Sequence, residues 1–197
     1  MNNIAVFDID GVLADFEPKL IDTLHRERGR GALMNRNLYS IEERFKEYPI
    51  VLERALELVN YPLFYKDIKP NPNACKFVKE VMELYDVMYV SSRPREAEVF
   101  TRLWLQKNTY NYSRSLGLFC GIEDKADWLA DVVVGFVVDD SPEQIGKLNE
   151  SGKTALCWSQ PWNEGVFPRL FSDRAGEIYM WSDESSEAEP FWSLVNE

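Results

Sequence analysis

No two of the three cysteines, Cys75, Cys120 and Cys157, are close enough in the chain to form a CxxC pair. An odd number of thiols without metal-ligand spacing speaks for free cysteines in a reducing compartment. Cys120 and Cys157 lie in or beside apolar runs and are expected in the core. Positive charge is scarce as well: 22 lysines and arginines stand against 33 aspartates and glutamates, a formal net charge of −11. Such a chain repels a phosphate backbone at long range, which argues against a nucleic-acid polymer as partner. A small phosphorylated ligand is still allowed, because a site holding a divalent cation can invert the global field locally. Long hydrophobic runs are also missing. Asp8 and Asp10 interrupt the apolar stretch near the N-terminus, so neither a signal peptide nor a membrane span is expected, and the reading is cytoplasmic. There is no internal repeat.

The 197 residues suffice for one sizeable domain, or one domain carrying a smaller insertion. Short, almost fully apolar runs recur at Ile4–Phe7, Val87–Val90, Leu116–Phe119, Val132–Val138 and Thr154–Trp158. Runs of this length fit strands buried on both faces, as in a parallel sheet flanked by helices. Between them, the spacing of Phe77, Val78, Val81, Met82 and Leu84 predicts a helix capped by Asn73. Ser141 reads as the cap of another, with Pro142 in its first position. Strands alternating with helices predict an α/β fold with a doubly wound parallel sheet.

One segment breaks the alternation. From about Phe16 to Lys69 the pattern is amphipathic helix, carrying the aromatics Phe45, Tyr61, Phe64 and Tyr65. The expected division is a core of residues 1–15 and 70–197 with a small helical cap, 16–69, inserted after the first strand. Such a cap would lie over the carboxyl ends of the strands, where open α/β sheets bind ligands. A purely structural helical layer is the alternative. Near the end, residues 182–189 are polar and expected in solvent, while residues 190–195 are apolar enough to dock as a last short helix.

Chemistry concentrates at three strand ends. The first apolar run ends in Asp8-x-Asp10-Gly11, and two carboxylates so placed repel each other unless a cation or protonation intervenes. Gly11 permits a sharp turn that brings backbone amides towards a ligand. A calcium loop is excluded, because its remaining ligands and closing glutamate are absent. The second strand delivers Ser91-Ser92-Arg93, whose hydroxyls and guanidinium suit a phosphoryl group. The run ending at Val138 leads into Asp139-Asp140, a pair suited to a hard, oxygen-ligated metal. Lys125 precedes that strand and is the candidate to neutralise phosphate charge.

The order of these groups resembles the haloacid dehalogenase superfamily, whose four motifs match Asp8-x-Asp10, Ser91, Lys125 and Asp139-Asp140 over roughly Ile4 to Trp158. A closer resemblance is to the 5′(3′)-deoxyribonucleotidases of that superfamily. It rests on the stretch from Asp8 to Glu17, on Phe64–Ala74, on Glu123-Asp124-Lys125 and on Val138–Pro142. Ser91 stands where that family usually has threonine, and Arg93 is an addition. The resemblance implies a phosphoric monoester hydrolase in which Asp8 forms an aspartyl phosphate and Asp10 transfers protons. It implies Mg2+ held by Asp8, the Asp10 carbonyl and Asp139, with Asp140 ordering the surroundings. Ser91, Ser92 and Lys125 would bind phosphate. Asp10 favours a phosphatase over a dehalogenase, because dehalogenases of this superfamily lack that acid. The expected substrate is a deoxyribonucleoside monophosphate, with Phe45, Phe64, Tyr65 and Arg93 as candidate substrate contacts. Another small phosphomonoester, or a catalytically silent binding module, is the alternative function. A homodimer is compatible with the sequence.

Overall fold

Pairing begins at the apolar runs. In a computed structural model describing residues 4–28, 37–183 and 187–195, they form five parallel strands. These are β1 (Ile4–Phe7), β2 (Asp86–Ser91), β3 (Gly117–Cys120), β4 (Phe136–Asp139) and β5 (Ala155–Trp158), in the order β3-β2-β1-β4-β5. Alternate side chains enter two separate cores. Ala5, Phe7, Val87, Tyr89, Phe136, Val138, Leu156 and Trp158 pack on one face. Val6, Met88, Val90, Val137, Ala155 and Cys157 pack on the other. Burial on both faces is why β1, β2, β4 and β5 read as apolar runs, whereas the edge strand β3 leaves Phe119 36% exposed.

Helices cover both faces. α1 (Phe16–Arg28), α2 (Ile41–Phe45) and α3 (Pro49–Val59) follow β1, and α4 (Pro72–Val81) leads into β2. α5 (Glu98–Asn108) joins β2 to β3 on the same side as α4, through Trp104 and Leu105. α6 (Lys125–Trp128) and α7 (Pro142–Glu150) cross on the opposite face through Ala126, Ile145 and Leu148. The winding direction reverses at β1 and β4, which opens a crevice beyond their carboxyl ends.

The sheet extends further than expected. β6 (Arg169–Ser172) pairs parallel to β5, and β7 (Ile178–Trp181) and β8 (Glu189–Pro190) continue it antiparallel. α8 (Phe191–Val195) then returns the chain to the core, where the Phe191 ring meets Phe77 at 4.9 Å and Phe136 at 5.7 Å. Cys120 and Cys157 are buried and free. The run expected from Val132 pairs only from Phe136, and Val133 is 83% exposed.

Between β1 and α4 the described residues form α1, α2, α3 and a tight helical turn, Pro62–Asp67. The two passages joining this segment to the sheet lie against each other. The Asp15 amide donates to the Lys69 carbonyl at 2.9 Å, and the Asn71 amide to the Leu13 carbonyl at 2.7 Å.

Asn71, not Asn73, caps α4: its side chain accepts from the amides of Asn73 and Ala74, each at 3.2 Å, with Pro72 in the first turn. The Asn73 side chain instead donates to Ser172 at 2.8 Å. Asn71→Ala should therefore destabilise the protein by about 0.5–2 kcal/mol in urea unfolding. Asn73→Ala should leave the helix start intact and act only through the contact to β6.

Candidate active site

Burial of charge governs the crevice. Asp8, 6% exposed, leaves the end of β1 with its amide donating to the Val138 carbonyl at 2.9 Å. Lys125, at the first position of α6, donates from Nζ to Asp8 Oδ1 at 2.6 Å and to Asp139 Oδ2 at 2.5 Å. The other Asp139 oxygen accepts the Ser141 amide at 2.8 Å. Asp140 Oδ2 accepts the Trp162 indole N–H at 3.1 Å, and the Asp140 carbonyl accepts from Asn163 Nδ2 at 2.9 Å. One carboxylate oxygen each from Asp8, Asp139 and Asp140 lies within 4.8 Å of the others.

With a single ammonium among them, these three acids carry surplus negative charge. Burial, opposed by Lys125 and reinforced by Asp139 and Asp10, pushes the Asp8 carboxyl up to about 7. Burial, followed by the charges of Asp139 and Asp8, raises Asp140 well above the carboxylate range. For Lys125, burial works against the charge, but Asp139 and Asp8 outweigh it and its pKa rises. A buried, all-oxygen donor set with unbalanced negative charge fits a hard divalent cation.

Neighbouring loops hold this cluster in shape. Asp124 caps α6 by accepting the Asp127 amide at 3.0 Å. Gln144 clamps the same turn, accepting the Lys125 amide at 3.0 Å and donating to the Glu123 carbonyl at 2.7 Å. After β5, Gln160 donates to the Gly11 carbonyl at 2.5 Å. Gly11 has φ +81°, and a Cβ there would stand 2.2 Å from Asp140 Oδ2. Only glycine leaves room for that carboxylate.

Two hollows with shared lining residues adjoin the cluster. A small one of about 90 Å³ is lined by Asp8, Asp10, Ser92, Lys125, Asp139 and Gln144, together with Tyr39, Ile122 and Glu123. A larger one of about 530 Å³ has Phe16, Tyr39, Tyr65 and Trp162 among its walls, with Glu17, Arg44 and Asn60. Asp10, Tyr39 and Ser92 line both.

The structure thus gathers Asp8, Asp10, Ser92, Lys125, Asp139 and Asp140 at one place. Ser91 lies just behind, buried, with its Oγ accepting the Arg93 amide at 3.2 Å. Arg93 turns its guanidinium onto Asp10. Tyr65 lines the larger hollow, but Phe45 and Phe64 do not. By exposure, however, Phe45, Phe64 and Tyr65 are all core residues, at 2%, 5% and 3%, with Phe64 packing on Phe16 at 5.8 Å.

Several residues were not anticipated. Arg44 lies over the Trp162 ring at 4.7 Å and pairs with Glu17 at 2.9 Å, so the helical segment touches the loop after β5. Gln144, Gln160, Trp162 and Asn163 are amides and an indole, types that occur in any turn. The available signal was their position after apolar strands ending at the same sheet edge.

The sequence pattern of a family described as "5′ nucleotidase, deoxy (pyrimidine), cytosolic type C protein" matches residues 2–177. The chain belongs to this family. It is accordingly a phosphoric monoester hydrolase with a haloacid-dehalogenase-like fold. No curated protein matches it by sequence. Among solved structures, its fold is similar to a haloacid dehalogenase-like hydrolase from Streptococcus pneumoniae, at 12% identity and TM-score 0.56, covering 80% of this chain and 85% of that one. An L-2-haloacid dehalogenase from Xanthobacter autotrophicus gives 16% identity and TM-score 0.55, covering 82% and 80%. A haloacid dehalogenase-type hydrolase from Bacillus subtilis, described as bound to magnesium, gives 11% and 0.54, covering 80% and 88%. Among the described residues, no helix is long and apolar enough to cross a membrane.

Gly11→Ala tests the close approach. The left-handed backbone alone should cost about 1–2 kcal/mol, and displacement of Asp140 should reduce turnover at least about tenfold. Urea unfolding and kcat at saturating metal measure the two effects. Wild-type values for both would refute the crowding at this position.

Proposed function

We propose that this chain hydrolyses nucleoside monophosphates, deoxyribonucleotides in particular, through a phosphate ester on Asp8 and with magnesium bound. The observation that carries the reading is the adjacency of the hollows. A charged compartment of about 90 Å³ suits a phosphoryl group, and it shares Asp10, Tyr39 and Ser92 with one of about 530 Å³ with aromatic walls. The larger is within the usual range for small-molecule sites. The words "deoxy" and "pyrimidine" in the family's description support the same substrate class.

In this reading Asp8, the Asp10 carbonyl and Asp139 would hold magnesium, with Asp140 shaping their surroundings. When bound, the ion offsets the surplus negative charge and polarises the phosphoryl group. A carboxylate oxygen of Asp8 attacks phosphorus, the bond to the ester oxygen breaks, and Asp10 gives that oxygen its proton. Asp10 then takes a proton from water, whose oxygen attacks the aspartyl phosphate and releases inorganic phosphate. Lys125, Ser92 and the Ser91 hydroxyl stabilise the charge on the phosphoryl oxygens. Residues 16–69 act as a cap, contributing Phe16, Tyr39 and Tyr65 to the wall of the larger hollow. Of Phe64 and Tyr65, both expected as candidate base contacts, this reading favours Tyr65.

Asp8→Asn should abolish turnover while circular dichroism shows the fold retained, and beryllium fluoride should bind the wild-type protein alone. Substantial hydrolysis by purified Asp8→Asn would remove the covalent mechanism.

Substrate class and metal are tested together. With magnesium, kcat/KM for a deoxynucleoside monophosphate should exceed that for glycerol phosphate roughly 5- to 150-fold, the equivalent of about 1–3 kcal/mol from a stacked base. Asp139→Ala should raise the magnesium requirement or eliminate activity. A preference for glycerol phosphate would overturn the nucleotide reading, and full activity in excess chelator the metal.

A further inference from the structure

Arg93 was expected to contact substrate; it is among the residues lining the larger hollow, but its side chain is fully buried. Its Nε donates to Asp10 Oδ2 at 2.7 Å and its Nη2 to Asp10 Oδ1 at 2.6 Å, a two-pronged fork on one carboxylate. The remaining nitrogen, Nη1, donates to Thr101 of α5 at 3.1 Å. The guanidinium lies 4.6 Å from the Tyr65 ring centre and 5.9 Å from that of Trp104. Its backbone is tethered as well, the amide to Ser91 and the carbonyl to the Gly121 amide at 2.7 Å. Every nitrogen of the guanidinium is therefore engaged within the protein, while the Asp10 side chain it grips remains 22% exposed and lines both hollows.

From this geometry we infer that Arg93 is a positioning residue for Asp10, fixing the carboxylate in the shared lining of the hollows so that it faces the ester oxygen of the substrate. The inference rests on the assignment of Asp10 to proton transfer. A carboxylate on a freely rotating side chain would spend much of its time turned away from the ester oxygen. Two parallel hydrogen bonds to a planar cation remove that freedom, which a lysine, with a compact charge and no fork, cannot do. The stacked Tyr65 ring and the Thr101 hydroxyl hold the guanidinium from behind. One arginine thus links the loop after β1, the helical segment and α5.

A phosphate-binding arginine would act on all substrates alike and through KM. A positioning residue for Asp10 acts where the leaving group needs a proton. Single-turnover phosphorylation should be measured for Arg93→Lys with a deoxynucleoside monophosphate, which leaves as an alkoxide, and with p-nitrophenyl phosphate, which leaves unassisted. The nucleotide reaction is expected to slow about 10- to 100-fold, the aryl reaction less than about 3-fold, and KM to change little. In an Asp10→Asn background, the added Arg93→Lys should cost less than about 3-fold, since its partner's role is already lost. Should Arg93→Lys fail to fold, Thr101→Val, which removes only the third hydrogen bond, is measured in the same way and should show a smaller loss with the same selectivity. Equal slowing of both substrates, an effect confined to KM, or full additivity with Asp10→Asn overturns the role of Arg93. If Asp10→Asn itself slows both substrates equally, the assignment of Asp10 fails, and this inference with it.

Discussion

The Lys125 ammonium is the group on which the rest of the crevice depends. Asp8 and Asp139 end adjacent parallel strands, so the fold forces two carboxylates together in a place almost closed to water. Without a cation between them, the repulsion and lost hydration would push β1 and β4 apart at their carboxyl ends. Lys125 reaches both acids from the start of α6, and the turn that delivers it is held by Asp124 and Gln144. It cannot satisfy Asp140 as well, which leans on Trp162 and Asn163. The site is therefore stable enough to form yet still short of positive charge, a condition suited to receiving a cation.

The arrangement also explains why the supporting loops are polar. Apart from Lys125, which Asp8 and Asp139 share, three of the acids have fixed donors of their own, drawn from different crossovers. Asp139 uses the Ser141 amide, Asp140 uses the loop after β5, and Asp10 uses the segment after β2. These donors are in place before any ligand arrives, which lowers the reorganisation needed during reaction.

Much of this was readable in the residues because both strong signals come from burial. Strands buried on both faces must be apolar throughout, and that made β1, β2, β4 and β5 visible as runs. Acids at the ends of such strands stand out because burial makes them costly. Legibility failed where burial is partial. β6 alternates Arg169, Leu170, Phe171 and Ser172 at the flank of the sheet, and β8 is only Glu189-Pro190, so neither makes a run. β7, Ile178–Trp181, is as long and as apolar as β1, so its run was present in the sequence to be read. In the helical segment, aromatic residues for packing and for lining a hollow are chemically alike. Composition therefore could not separate Phe64 from Tyr65, which are neighbours with rings crossing at 87°. Arg93 shows the same difficulty: a guanidinium suited to phosphate is equally suited to a carboxylate, and only the fold decides which it meets.

The paired passages at residues 13–15 and 69–71 have a mechanical consequence. Two separate tethers would let the helices between them slide, twist and tilt independently. Because the amides of Asp15 and Asn71 bond across to the opposite passage, with Ala14 bridging Pro70, the tethers behave as one narrow ribbon. A ribbon of this kind bends readily about an axis in its plane and resists shear. Motion of the helical segment is thereby reduced towards a single swing, with the pivot beside the loop that carries Asp10. The side chains at its inner wall then approach and leave the crevice along one arc.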